Sequence, residues 1–351
     1  MIQMNVINTG KVKYRESFIR LGTIMESLVA AGNEEDQDKI EFEELLSKTR
    51  QKNPWFTREN VLFAFRTWAE ALKEDQINQW LQPYLEKLSG PSTPKTVGVI
   101  NAGNIPLVGF HDLLCVIMSG NKYLGKNSAD DPYLLPFLAE KLFQTEPALK
   151  ERISFAERLS GFDAVIATGS NNSARYFDYY FGKYPNIIRM NRNGVAVLTG
   201  DEDQNDFKKL SADIFQYFGL GCRNVSKLFV PRHYDFKNFF ESIEFNSAIS
   251  QHHKYMNNYD YNHAIYLLKR IDFLTNGFLI LKEDPSIASP IAVLYYEFYD
   301  DMKSLEHKLR NEKDKIQCIV GKNFIPFGNA QHPHLWDYAD GVDTMNFLIN
   351  A

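Results

Sequence analysis

From Thr96 to Val320 short β-rich runs alternate with stretches of helical spacing, and this pattern leaves few folds open. The runs predict strands at Thr96–Ile100, Lys122–Gly125, Ala164–Ala167, Ile187–Met190, Val195–Leu198, Lys227–Val230, Phe278–Leu281, Ile291–Tyr296 and Ile316–Val320. Helices are predicted over Pro106–Met118, with the proline in the first turn, and over Leu134–Phe143. Such alternation builds α/β units around a mostly parallel sheet, whose ligands bind beyond the carboxyl ends of the strands.

The segment before Thr96 has a different character. From Tyr14 to Leu88 apolar residues recur at helical spacing, as in Phe18, Leu21, Ile24, Met25 and Leu28, which predicts a helical lead-in. Turn formers crowd Ser89-Gly90-Pro91-Ser92-Thr93-Pro94, so a boundary is expected there. With 351 residues the chain has room for two domains or one large one. Acidic side chains number 44 against 39 basic, a formal charge of −5 without a basic stripe, so nucleic acid is not an expected partner. Three cysteines are too few for a disulfide framework, and Met1 to Gly22 carries charges instead of an apolar signal core; the cytoplasm is the expected location. The longest charge-poor stretch, Thr96 to Asn121, is broken by Asn101, Asn104, Pro106, His111 and Asp112, so no membrane span is expected.

The cysteines have unlike surroundings. Cys115, in Leu-Leu-Cys-Val-Ile, and Cys318, in Ile-Gln-Cys-Ile-Val, read as small core residues. Cys222 follows Gly219-Leu220-Gly221 and precedes Arg223 and a strand; glycines leave backbone room and an adjacent cation favours the thiolate, although a Gly-Cys turn is also a plain structural device. The turn Asn101-Ala102-Gly103-Asn104 after the first strand suits either a dinucleotide site without the strict G-x-G-x-x-G spacing or simply a tight α/β turn. Asn104 is then an oxyanion donor or a helix cap. Lys126 ends a strand within reach of a ribose or phosphate, or is a solvated loop residue. Thr168-Gly169-Ser170 opens a helix that either holds a pyrophosphate or is capped by its own serine. His252, His253 and His263 lack metal-ligand spacing, so no metal is expected, and the aromatic tract around them reads as the wall of a substrate cleft. Charged runs at Asn33–Lys39 and Asn311–Lys315 read as solvated faces.

Taken in order, these segments resemble the aldehyde dehydrogenase superfamily, and within it the LuxC-like acyl-CoA reductases, from Thr96 to about Ile349. Ala102-Gly103-Asn104-Ile105-Pro106-Leu107 is similar to the superfamily's Trp-Asn-Phe-Pro-Leu turn, Lys126 to its ribose-holding lysine, Thr168-Gly169-Ser170 to its pyrophosphate turn, and Gly219-Leu220-Gly221-Cys222 to its catalytic cysteine segment. The endings Phe324–Gln331 and Asp337–Met345 resemble the acyl-CoA reductase branch. The resemblance implies a Rossmann-type cofactor domain plus an α/β catalytic domain. Residues 1–90 would be the helical part of the cofactor domain, 91–194 its binding core, 195–324 the catalytic domain, and 325–351 a segment packing back on the cofactor domain. It implies Cys222 and Asn104 as catalytic residues, Asn101, Ala102, Lys126, Ser128, Gly169 and Ser170 as cofactor contacts, and a homo-oligomer.

The departures from that pattern direct the chemistry. Where oxidising relatives carry a glutamate in Glu-Leu-Gly-Gly, this chain has Arg189-Met190-Asn191-Arg192-Asn193-Gly194, so no carboxylate activates water there and the reductive direction is expected. Three residues past Lys126, at the usual site of a glutamate facing the ribose 2′-hydroxyl, stands Ala129, which implies NADPH over NAD. The clamp Glu-x-Phe-Gly-Pro appears as Ser286-Ile287-Ala288-Ser289-Pro290. The reading is reduction of a fatty acyl thioester, from acyl-CoA, an acyl carrier or an acyl-transferring partner protein, to the aldehyde. The alternative is a non-catalytic relative that binds the acyl donor or a partner.

Overall fold

The computed structural model describes residues 12–31, 36–89, 93–169 and 171–351. Gly90–Ser92 of the expected boundary, Asn33–Glu35 of the charged run and Ser170 lie outside them. The chain divides into two compact units, residues 1–190 with 334–351, and residues 191–333.

In the first unit the early periodicity becomes helices α1 (Arg15–Val29), α2 (Gln37–Lys52), α3 (Arg58–Ala71), α4 (Glu74–Leu81) and α5 (Leu85–Leu88). Phe18, Leu21 and Met25, one turn apart on α1, are fully buried, each contributing about 1.5–3 kcal/mol. A Cβ on Gly22 would stand 2.8 Å from that of Leu72, so a glycine lets α1 approach the end of α3. Then follow β1 (Thr96–Ile100), α6 (Phe110–Met118), β2 (Lys122–Lys126), α7 (Leu134–Thr145), β3 (Ile153–Phe155), β4 (Ala164–Thr168), α8 (Asn171–Phe181) and β5 (Asn186–Arg189). The strands form one parallel sheet in the order β3-β2-β1-β4-β5. Its central strands are runs of buried residues, as expected where both faces are covered. The chain leaves β1 toward β2 and β3, then returns to its other side for β4 and β5, so the direction of winding reverses between β1 and β4. In such sheets the ligand crevice opens at that reversal, outside the carboxyl ends of the strands.

The second unit holds β6 (Asn193–Val197), α9 (Gln204–Phe215), β7 (Val225–Pro231), α10 (Lys237–Ile243), α11 (His253–Leu268), β8 (Leu274–Thr275), β9 (Ile280–Glu283), β10 (Val293–Tyr299), α12 (Met302–Asn311) and β11 (Ile316–Val320). Its sheet order is β11-β6-β7-β10-β9-β8, parallel throughout except for the β8–β9 pair. Leu198, Leu210, Leu228, Val230 and Phe239 lie in its buried core. The last helix, α13 (Thr344–Asn350), belongs to the first unit.

Two expectations are corrected, and the compact units differ in extent from the expected domains. The helix expected from Pro106 starts at Phe110, because Leu107 has φ +59°, a left-handed conformation that an α-helix cannot contain. β3 and β8 carry too few residues to register as strands in the sequence. The units divide at 190/191 and 333/334, against expected edges at 194/195 and 324/325. Residues 325–333 stay with the second unit, where the carboxylate of Asp213 accepts the N–H groups of Gly328 and Ala330. Among the described residues no helix is long and apolar enough to cross a membrane.

Candidate functional site

In the first unit the described ones among the expected cofactor residues lie at the carboxyl edge of the sheet, around the β1/β4 reversal. Asn101 follows β1, Lys126 ends β2, and Thr168-Gly169 closes β4. Asn101 is bound into the fold: its N–H donates to the Lys126 carbonyl at 3.0 Å. Its buried amide donates to the Tyr123 hydroxyl at 2.7 Å and to Asn127 Oδ1 at 2.9 Å. The side chain and the N–H of Asn101 are therefore both used to shape the turn. Burial pushes the Tyr123 phenol up, which keeps it a neutral partner for that amide.

Two glycines allow this edge to close. A Cβ on Gly103 would come within 2.6 Å of Ser128 Oγ, and one on Gly109 within 2.1 Å of Asn101 Oδ1. A Cβ on Gly169 would stand 2.8 Å from the Phe177 ring. The glycines thus let this edge pack closely, and α8 starts at Asn171, just beyond Thr168-Gly169, where a helix N-terminus suits a diphosphate. These features fit a nicotinamide dinucleotide. Ala102, Lys126 and Ser128 are partly exposed there, and Asn104 and Ala129 are exposed.

The segment bearing Asn104 is braced by Asp131. This buried carboxylate accepts the N–H of Leu134 at 3.2 Å, starting α7, and bonds the N–H groups of Leu107 and Tyr133. Burial raises it to about 6, the backbone bonds pulling the other way. Arg189, at the end of β5, is committed to the fold. It forms a buried bidentate pair with Asp112 of α6, at 2.6 and 2.8 Å, and reaches Thr344 Oγ1 at 3.2 Å. Losing one member of such a pair strands a buried charge, at about 3–5 kcal/mol.

In the second unit Cys222 is exposed, whereas Cys115 and Cys318 are buried. Burial pushes the Cys115 thiol well up, as befits a core residue. Cys222 sits between α9 and β7, after Tyr217, Phe218 and Gly219, which all have positive φ, at 54°, 58° and 78°. Two consecutive left-handed aromatic residues are strained and persist only where surrounding bonds hold them. Asn224 supplies those bonds. Its buried side chain accepts the Gly221 N–H at 2.8 Å and donates to the carbonyls of Asp213, Ile214 and Gln216 at 3.0, 3.4 and 2.8 Å. Gly194 closes the turn from β6, since a Cβ there would lie 2.6 Å from the Arg223 carbonyl.

The strand that leaves this turn also anchors the loop around Ile287. Ser226 Oγ donates to the Ile287 carbonyl at 2.7 Å. Buried Lys227 donates to the Asp284 carbonyl at 2.9 Å and pairs with Glu297 at 2.6 Å. Burial lowers the Lys227 ammonium, with Glu297 opposing. The histidine tract is α11, and its aromatic residues mostly serve packing, not an open cleft wall. The Tyr255 hydroxyl donates to the Phe278 carbonyl, and Tyr259 stacks on His263 with ring centroids 5.6 Å apart. His252 caps the helix and lies against Phe218 of the cysteine turn, centroids 4.2 Å apart. Among the described residues no group of three or more His, Cys, Asp or Glu is arranged to hold a metal ion.

Sequence reasoning missed Asp213, Asn224 and Asp131. For Asp213 the signal was present: it lies three residues after Leu210 and beside Ile214, on the buried stripe of α9.

Residues 79–244 match the LuxC family, acyl-CoA reductase, a span just under half of the chain that includes Asn104, Lys126, Gly169 and Cys222. No curated protein matches. Among solved structures, HpcC from Thermus thermophilus is similar at TM-score 0.60 and 14% identity, over 89% of this chain and 70% of that one. A NAD-dependent benzaldehyde dehydrogenase from Corynebacterium glutamicum is similar at 0.59 and 14%, over 89% and 76%. Aldehyde dehydrogenase 21 from Physcomitrella patens is similar at 0.56 and 13%, over 97% and 86%. At these identities the likeness concerns the fold, which is that of the aldehyde dehydrogenases.

Proposed function

From an aldehyde dehydrogenase fold carrying a LuxC acyl-CoA reductase segment, we propose that this protein reduces a fatty acyl thioester to the aldehyde through a covalent acyl group on Cys222. The LuxC match supports the coarser statement, an oxidoreductase acting on acyl or aldehyde groups. The observation that carries the finer one is the contrast among the cysteines: one exposed, on a turn held by a buried asparagine, and two buried.

In this reading the Cys222 thiolate attacks the acyl carbonyl carbon, the bond to the carrier sulfur breaks, and the carrier leaves as its thiol after taking a proton. The backbone N–H of Cys222 and the side chain of Asn104 are assigned to the oxyanion. When bound, a nicotinamide cofactor would supply the hydride that reduces the acyl carbon, and a proton from solvent would complete the thiohemiacetal on Cys222. The resulting thiohemiacetal releases aldehyde and returns the Cys222 thiol. No carboxylate occurs in Arg189–Gly194 to activate water, and Arg189 is held by Asp112, which supports reduction over hydrolysis.

Asn101, Ala102, Lys126, Ser128, Gly169 and Ser170 are the proposed cofactor contacts. NADPH is proposed because Ala129 places no negative charge toward a 2′-phosphate. One observation favours NAD as the second reading: Asp130 is exposed, and its Cβ lies 3.2 Å from where Gly103 would carry one. The ratio of kcat/KM for the two cofactors separates them. Acyl-CoA, an acyl carrier or an acyl-transferring protein would deliver the substrate, and a cytoplasmic homo-oligomer is proposed.

Mass spectrometry of the protein mixed with a long-chain acyl-CoA and no cofactor tests the central step. An acyl adduct on the Cys222 peptide is expected, and Cys222→Ala should abolish both adduct and turnover. Turnover retained by Cys222→Ala would refute the assignment. Tight binding without any adduct would identify a non-catalytic acyl-donor module.

A further inference from the structure

Around Cys222 runs a closed set of hydrogen bonds that the proposed chemistry does not use. Asp213, on the last turn of α9, is wholly buried. Its carboxylate accepts the N–H of Gly328 at 2.7 Å and that of Ala330 at 2.9 Å. The Ala330 carbonyl accepts from Nε of Arg223, the residue after Cys222. The Asp213 carbonyl accepts from Asn224, the next residue along, which also binds the Gly221 N–H. The ring therefore closes through both neighbours of the cysteine turn.

A carboxylate in the core is costly, and an aliphatic residue would fill the same stripe of α9 without that cost. What the carboxylate provides is a fixed position for residues 328–330, and through the Ala330 carbonyl a fixed Arg223, the residue that follows the cysteine in the chain. We propose that Asp213 is a positioning residue for Cys222: by holding Ala330, which holds Arg223, it sets the orientation in which the thiol meets an acyl carbonyl. The proposal rests on Cys222 being the nucleophile.

The test uses the full chain, as wild type, Asp213→Asn, Arg223→Ala and the double variant, with tetradecanoyl-CoA as acyl donor. Asparagine offers one acceptor to two N–H groups and turns a donor toward the other, so the ring opens with little change in shape. Acyl transfer to Cys222 should fall by about tenfold to a hundredfold in each single variant, as expected for a misplaced reacting group. The half-saturating concentration of tetradecanoyl-CoA should stay within about twofold. Iodoacetamide, a small reagent with little demand on orientation, should alkylate Cys222 at a high-pH limiting rate within about threefold of wild type, the limit being taken to remove the effect of the neighbouring cation on the thiolate fraction. The double variant should lose no more than the worse single one, because both substitutions open the same ring.

Wild-type acyl transfer in both single variants, additive losses, or an equal fall in alkylation and acyl transfer would each overturn the proposal. If Asp213→Asn does not fold, Arg223→Ala, at a partly exposed side chain, decides the matter on the same two readouts. A wild-type protein that forms no adduct would remove the nucleophile itself, whereas a wild-type adduct unaffected by the variants removes only the positioning role.

Discussion

The turn that carries Asn104 and the turn that carries Cys222 are each braced by a buried aspartate, yet contact and polar bonds carry different weight in them. In the first unit the turn is fixed by contact. Gly103 and Gly109 leave no room for a methyl group against Ser128 and Asn101, and Asp131 caps α7 while bonding the N–H of left-handed Leu107. In the second unit the turn is fixed by polar bonds that converge on Asn224 and Asp213, and a Cβ on its own Gly219 would meet only the Ile214 carbonyl, at 3.5 Å. A turn held by contact should fail when an atom is added. A turn held by polar bonds should fail when an atom is removed.

The largest effect is expected from Asn224→Ala. It strands the Gly221 N–H and the carbonyls of Asp213, Ile214 and Gln216, a loss of about 4 kcal/mol in urea unfolding. A loss no larger than that of an ordinary surface substitution would break the comparison. Gly109→Ala comes next. Its methyl would overlap Asn101 Oδ1, whose amide is anchored on Tyr123 and Asn127 and has nowhere to go. About 3 kcal/mol of destabilisation is expected, at the upper end for overpacking. Unchanged stability would show that the turn yields to added volume.

The smallest effect concerns what the turns share. Burial raises Asp131 and Asp213 from 3.8 to about 6. Each carboxyl therefore binds its proton more tightly in the folded protein than in the unfolded chain. Its contribution to stability is full below about pH 4 and is lost as the pH climbs through 6, about 2 kcal/mol apiece of it between pH 4 and 7. Urea midpoints measured from pH 4 to 7 should fall with that slope. Asp131→Asn and Asp213→Asn should each flatten part of it, and an unaltered slope in both would contradict the raised carboxyls.

Much of the architecture was legible beforehand. β1 and β11 have the expected bounds, and the other seven foreseen strands lie within a few residues of expectation, because the interior strands of a parallel sheet are continuous apolar runs. The burial of Cys115 and Cys318 was likewise readable from their apolar neighbours. Lys227 was foreseen in a strand, but nothing in its neighbourhood announced that it would be buried against Glu297, seventy residues away. The start of α6 was misplaced because Pro106 suits a first helical turn, and only the φ of Leu107 forbids it.

The order and kind of the elements, the parallel sheets and the cysteine most exposed to chemistry were determined by the sequence itself, because apolar periodicity and local turn residues act over a few positions. The tertiary structure alone decided which polar residues would brace the two turns. Asp213 meets Gly328 and Ala330 more than a hundred residues along the chain, and Arg189 meets Asp112 seventy-seven residues away. A buried carboxylate is tolerable only where the fold delivers donors to it, and those donors come from segments that no local pattern connects.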